Sequence, residues 1–171
     1  KEGLCIGALT THRELETSAL VREKCPVLCD AEREVANIRV RNMGTVGGNL
    51  ASGEPLTDLS QIFISLDGTA KITGPDGQRV IPVEELFLDF YTTSLAEDEI
   101  LTTVMIPPLP ARSGVEYIRF SSSSVVDKPS AGVAVRLTLE SGGETIQTAR
   151  IVLGCVGATP VRARKAEALI T

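Results

Sequence analysis

Aromatic residues make up only 4% of this 171-residue sequence, and histidine occurs once, at position 12. The formal net charge is −5, with lysines and arginines scattered among the acids, so no basic face exists to follow a phosphate backbone and few rings exist for bases to stack on. Nucleic acid is excluded as a partner on those grounds. No apolar run approaches the roughly 18 residues that span a bilayer, and the start, Lys1-Glu-Gly-Leu-Cys-Ile6, lacks the long apolar region of a signal peptide. A cytoplasmic setting is the expectation. The four cysteines at 5, 25, 29 and 155 are too few and too irregularly spaced for a disulfide framework, so free thiols are expected. Cys25 and Cys29 could share a helix face, but a metal or iron–sulfur centre takes about four ligands and His12 lies in another segment. Packing, the ordinary fate of a free thiol, is the better reading of both.

What is present is enough apolar residue, 43%, for one sizeable core or two small ones. Leu4 to Leu9 suits a short strand, and Thr11-His-Arg-Glu14 has the spacing of a capping box, which predicts a helix with Leu15, Ala19 and Val21 on its buried side. Pro26 opens a second helix with Val27, Leu28, Ala31 and Val35 as its apolar stripe. His12, at the first helix's entrance with no evident nucleophile or acid beside it, reads as an exposed first-turn residue. Apolar residues at 56, 59, 62, 63 and 66 predict a buried amphipathic helix stopped by Asp67-Gly68. Thr69 to Thr73, the turn Pro75-Asp-Gly77 and Arg79 to Ile81 predict a hairpin, followed by a short helix over Pro82 to Phe87 and a strand over Ile100 to Ile106. Strands are expected at Val115 to Phe120, Ala131 to Leu139 and Ala149 to Val156, with a turn at Ser141-Gly-Gly143 and a helix opening at Thr159-Pro160. The proline-rich stretch Pro107 to Gly114 reads as a connection between compact units, dividing the chain into 1–108, a linker at 109–114, and 115–171. Ser121 to Ser124 is the one low-complexity patch.

The segment Gly44-Thr-Val-Gly-Gly-Asn49 removes side chains and leaves its main chain open to the approach of a ligand. Glycines 47 and 48 allow positive φ, and successive amides in that conformation form a concavity suited to an anion, with Thr45 and Asn49 beside it. A purely structural turn explains the same residues, and on physics alone both readings stay open. Neither the dinucleotide-binding nor the P-loop glycine pattern matches.

Taken in order, Ile6-Gly-Ala-Leu-Thr-Thr-His12, Arg41-Asn42, Gly44-Thr-Val-Gly-Gly-Asn49, Pro55 and Asp58 resemble the FAD subunit of the molybdenum hydroxylases, the family of xanthine dehydrogenase and aerobic carbon monoxide dehydrogenase. The likeness continues through Tyr91-Thr-Thr-Ser-Leu95, Asp98-Glu-Ile-Leu101, Ile106-Pro107 and Pro160-Val-Arg162. It implies an α+β fold: the second subdomain of a two-part FAD-binding domain of the PCMH/vanillyl-alcohol-oxidase type, then a small antiparallel sheet with a helix. It also implies that Thr45, Val46, Gly47, Gly48 and Asn49 contact the flavin's diphosphate and ribityl region and that Asp58 hydrogen-bonds the cofactor. By the same resemblance Leu101 packs on the cofactor and Arg119 stands where some members have a flavin-contacting lysine. Asp58 as a favourable charge on a first helical turn and Leu101 as strand core are the bland alternatives.

The resemblance further implies that the first FAD subdomain precedes Lys1, and the halt at Leu169-Ile-Thr171 in mid-helix without a cap reads as a truncated C-terminal domain, so that a fragment is the expectation. Where family members often carry a basic pair after the Arg119 position, this sequence has Ser123-Ser124. The implied activity is that of a flavoprotein subunit holding FAD, with the molybdenum cofactor on a large partner subunit, [2Fe-2S] clusters on a small one, and electrons leaving to NAD or a quinone-type acceptor. No catalytic side chain is required on this chain, since the flavin supplies the redox chemistry. Two other readings remain: a flavoenzyme like UDP-N-acetylenolpyruvoylglucosamine reductase, and a subunit-docking module that holds no cofactor by itself.

Overall fold

The computed structural model describes residues 3–121 and 128–171. Lys1, Ser123 and Ser124 lie outside those residues. The architecture is α+β, and every strand pairing is antiparallel. The first sheet has the order β1 (Leu4–Gly7), β6 (Ile100–Ile106), β2 (Thr69–Gly74), β3 (Gly77–Pro82). Strand β1, whose partner was not evident from nearby sequence, pairs with β6 about a hundred residues away, Leu4 opposite Ile106 and Ile6 opposite Val104. The alternation that makes these strands puts Leu4, Ile6, Ala70, Ile72, Val104 and Ile106 into one core. The expected hairpin is β2 and β3, and the expected short helix is a 3-10 helix at Val83–Leu86.

Between β1 and β2 the chain forms six helices, of which α3 and α6 pack on the second sheet: α1 (His12–Thr17), α2 (Ala19–Lys24), α3 (Pro26–Glu34), α4 (Ile38–Met43), α5 (Val46–Ala51) and α6 (Leu59–Ser65). The capping box is present in full, with Thr11 Oγ1 accepting from the Glu14 N–H and the Glu14 carboxylate accepting from the Thr11 N–H. The helix it opens is shorter than the spacing predicts. Ser18 ends α1 and caps α2, which leaves Ala19 exposed rather than on the buried side. Helix α3 buries Val27, Leu28 and Ala31 as expected, and both Cys25 and Cys29 are buried free thiols. Burial pushes the Cys25 thiol up to about 11, which makes it an inert packing group. Helix α6 is buried on all sides, Ser60, Gln61 and Ser65 included, because it packs on β8 and β9 of the second sheet and is covered by α3, α5 and the 3-10 helix. It stops at Asp67, which takes the left-handed conformation at φ 52.

The second sheet has the order β10 (Val161–Arg162), β9 (Ile146–Gly154), β8 (Ala131–Leu139), β7 (Ser113–Phe120), with α7 (Arg164–Ile170) against β9. Strand β8 matches its expected bounds, whereas β9 starts three residues earlier than its expected start and β7 two earlier. Residues 107–112 carry no helix or strand. The expected helix opening at Pro160 is replaced by edge strand β10, whose Val161 and Arg162 pair with Leu153 and Val152, and the helix begins at Arg164. A small hairpin of β4 (Phe87–Asp89) and β5 (Thr92–Thr93) completes the fold.

Candidate functional site

The glycine-rich segment is a helix start rather than a positive-φ turn. Thr45 is the N-cap of α5, its Oγ1 accepting from the Gly48 N–H at 3.1 Å, and neither Gly47 nor Gly48 has positive φ. The amides expected to cradle an anion already have partners: Val46 N–H donates to the Thr10 carbonyl at 2.9 Å, Gly47 N–H to the Ala8 carbonyl at 2.8 Å, and Asn49 N–H to the Thr45 carbonyl at 2.9 Å. Gly47 is glycine for another reason. The loop after β1 passes so close that a Cβ there would sit 2.6 Å from Ala8 Cβ. Val46 is wholly buried, while Gly48 is exposed, so the surface this segment offers a ligand is the bare Gly48 and the side chains of Thr45 and Asn49.

A cleft of about 260 Å³ opens beside it, lined by His12, Asn49, Ser52, Glu54, Asp58 and Arg119 among others. Three residues named from the sequence, Asn49, Asp58 and Arg119, therefore meet in one place. Asp58 stands at the N-cap of α6 and makes no capping bond, so what it lends that helix is its charge alone. Its Oδ1 instead accepts from the Tyr117 hydroxyl on β7 and faces Arg119 Nε at 3.4 Å. Burial raises the Asp58 carboxyl above its ordinary value despite the opposing hydrogen bond from Tyr117 and the charge of Arg119. Burial likewise lifts the Tyr117 hydroxyl, and Asp58 adds to the effect. Arg119 also donates to the Glu34 carbonyl at 2.6 Å, which holds its guanidinium, 4% exposed, against the end of α3. Leu101 is 5% exposed in β6 opposite Ile72, part of the core and not of the cleft wall.

His12 departs from expectation. It is 4% exposed, because α3 folds over the start of α1 and sets Glu32 Oε2 2.9 Å from His12 Nδ1. Glu32 is wholly buried, and burial raises its carboxyl, with the bond to His12 working the other way. A buried carboxylate twenty residues on from the histidine is a partner that local sequence cannot show. Lys128 and Glu54 were also missed. Lys128 Nζ donates to Glu54 Oε2 at 2.6 Å at the cleft's rim, and the Tyr91 hydroxyl donates to the same oxygen at 2.9 Å. Each of these depends on contacts made between distant segments.

Polar groups without an internal partner test what the cleft accepts. Asn49 Oδ1 is buried with no hydrogen-bond partner, and Asp58 Oδ2 makes none among the described residues. The cations are matched by acids, Arg119 by Asp58 and Lys128 by Glu54. Such a wall suits a ligand rich in hydroxyls, carbonyls and ring nitrogens better than a bare anion, and a flavin nucleotide fits that description. Among the described residues no cluster of histidine, cysteine and acids could hold a metal, and no helix is long and apolar enough to cross a membrane.

Residues 1–109 match the family described as FAD binding domain in molybdopterin dehydrogenase, and the chain belongs to that family of oxidoreductase subunits. Residues 117–171 match a second family, the CO dehydrogenase flavoprotein C-terminal domain. The carbon monoxide dehydrogenase medium chain of Afipia carboxidovorans is 34% identical over 161 residues, covering 94% of this chain and 55% of that one. The 6-hydroxypseudooxynicotine dehydrogenase complex subunit alpha of Paenarthrobacter nicotinovorans is 32% identical over 167 residues, covering 98% and 56%. Reconstituted CO dehydrogenase from Oligotropha carboxidovorans superposes with a TM-score of 0.93 at 30% identity, covering all of this chain and 59% of that one. The chain thus spans a little over half the length of the relatives it matches.

Proposed function

We propose that this chain is the FAD-holding part of the medium subunit of a cytoplasmic molybdenum hydroxylase, and that it passes electrons from iron–sulfur clusters on a small partner subunit to NAD or another acceptor, substrate being oxidised at a molybdenum cofactor on a large one. The observation that carries the reading is the convergence of Asn49, Asp58 and Arg119 on one cleft beside exposed Gly48. When bound, the isoalloxazine ring supplies the redox chemistry. The chain's own residues do the holding. Asp58 Oδ2 accepts from a hydroxyl or ring N–H of the cofactor, Asn49 contributes its side-chain amide, and the Thr45 hydroxyl, whose oxygen already caps α5, keeps its proton for a ligand oxygen. Arg119 fixes Asp58 in place and adds positive charge to the wall. Val46, Gly47 and Leu101 act from beneath, by setting α5 and β6 against the core.

Residues 117–171 match a family other than that of the enolpyruvyl reductase, which leaves the reductase reading without support. The test is the colour and FAD content of the purified flavoprotein that carries this chain. The wild type is expected to show flavin absorption, and Gly48→Val, which places a branched side chain over the start of α5, to lower FAD content at least about tenfold, the loss of a contact or two of ordinary strength. A colourless wild type that takes up no added FAD would overturn the proposal.

A further inference from the structure

The histidine–carboxylate pair at the floor of the cleft has no part in the reading above. His12 lines the cleft and is 4% exposed, its Nδ1 is held by Glu32 Oε2 at 2.9 Å, and its Nε2 has no hydrogen-bond partner among the described residues. Nε2 is also absent from the polar atoms that are sealed from solvent without a partner, so the ring's outer edge opens on the cleft. The surrounding groups limit where the pair's protons can be. Glu32 is wholly buried, His12 faces it at 2.9 Å, and its other charged neighbours, Asp58 and Glu16, are acids already paired with arginines, Asp58 with Arg119 and Glu16 with Arg41.

Three arrangements are open to such a pair. A carboxylate beside an imidazolium leaves protons on both ring nitrogens. A protonated carboxyl donating to Nδ1 leaves the ring's single proton on Nε2. A carboxylate beside a neutral ring protonated at Nδ1 alone leaves Nε2 bare, but it strands a negative charge with no cation of its own in a dry site, which is the costliest of the three. The two arrangements without net charge both carry a proton on Nε2.

We propose that His12, anchored by Glu32, presents an Nε2–H to the cleft as a fixed hydrogen-bond donor to an acceptor oxygen of the bound flavin nucleotide. The proposal rests on the flavin reading of the cleft. It gives the wall a donor that complements the acceptor Asp58 Oδ2, so that a group offering both acceptor and donor atoms is held in one orientation. Gly44 makes room for this ring, since a Cβ there would meet His12 Cδ2 at 2.9 Å.

His12 is the sole histidine of the sequence, so the chain labelled with 15N-histidine shows one imidazole and reports its protonation directly. A proton on Nε2 is expected; a ring protonated at Nδ1 alone overturns the proposal. In the flavoprotein carrying the chain, FAD affinity after stripping and reloading is expected to fall roughly tenfold in His12→Leu, the equivalent of one buried hydrogen bond. His12→Gln, which keeps an N–H donor near the position of Nε2, is expected to recover most of that loss, a recovery that a purely structural histidine would not show. Unchanged affinity in His12→Leu, or equal loss in both variants, sinks the inference and leaves the flavin reading standing. A wild type that takes up no FAD sinks the flavin reading itself, so the two failures are distinguishable. Should His12→Leu fail to fold, the wild-type protonation and the His12→Gln affinity decide the matter.

Discussion

Arg79 and Glu99 show how one residue's environment sets its chemistry. The guanidinium holds the carboxylate in two bonds of 2.7 Å, and the Ala96 N–H donates a third at 2.9 Å. The bond from Arg79, then that from Ala96, hold the Glu99 carboxyl down at about 2, against an ordinary 4.5. A carboxyl that releases its proton more readily in the folded chain stabilises the fold fully above its unfolded value, and that contribution disappears as pH falls from 4.5 towards about 2. Arg79→Met is therefore expected to be less stable than wild type at neutral pH, with the gap closing over that window when unfolding is followed by urea titration at stepped pH. A gap that stays constant with pH would show that Arg79 acts through packing alone. The residues around the cleft follow the same logic in reverse, since burial raises Asp58 and Glu32 and their partners only partly oppose it.

At the scale of elements, the contact between α6 and the second sheet depends on two glycines that face each other across β8 and β9. Gly132 and Gly154 are paired in register, and together they form the slot into which the wholly buried Gln61 side chain fits. A Cβ at 132 would lie 2.9 Å from Gln61 Nε2 and 2.6 Å from Tyr117 Oη, and one at 154 would overlap the Gln61 amide outright. Gln61 then donates to the Tyr117 hydroxyl, which in turn donates to Asp58, so the slot sets the height at which the cleft's acid stands. Gly154→Ala is expected to destabilise the protein by about 1–3 kcal/mol, the usual cost of overfilling a packed interior. In a double-mutant cycle with Gln61→Ala most of that loss should vanish, and additive losses would mean the methyl group is accommodated elsewhere.

Across the whole molecule, α6 packs on the second sheet, and a charged clamp at its end ties the chain leading into β2 to that same sheet. Asp67 takes a bond from Arg136 on β8 and one of 3.0 Å from Arg150 on β9, while its own backbone ends the helix. Arg136 is only 6% exposed, so it depends on that carboxylate, although Asp67 at 43% exposure keeps much of its hydration. Asp67→Asn retains a residue that tolerates the left-handed conformation and removes only the charge. The expected loss is about 1–2 kcal/mol, taken low in the range for charged hydrogen bonds because water screens the outer half of the pair. The shift in the urea midpoint measures it. No loss of stability would show that the sheets are held by apolar contact alone.

Much of the fold was legible in the sequence because local pattern carries it. Strands β6 and β8 match their expected bounds, the Thr11 and Glu14 spacing makes its capping box, and the ordered motifs from Ile6 to Leu101 lie in the stretch that matches the family. Periodicity and capping depend on near neighbours, and near neighbours are written side by side. The candidate site was legible in its cast but not in its arrangement. Asp58, Asn49 and Arg119 were named from the family resemblance, whereas the satisfied amides of α5, the burial of His12 against Glu32 and the edge strand at Val161 come from segments that meet only on folding. Which polar groups give up water, and which remain open to a ligand, is settled by what lands on them, and that is a property of the tertiary structure.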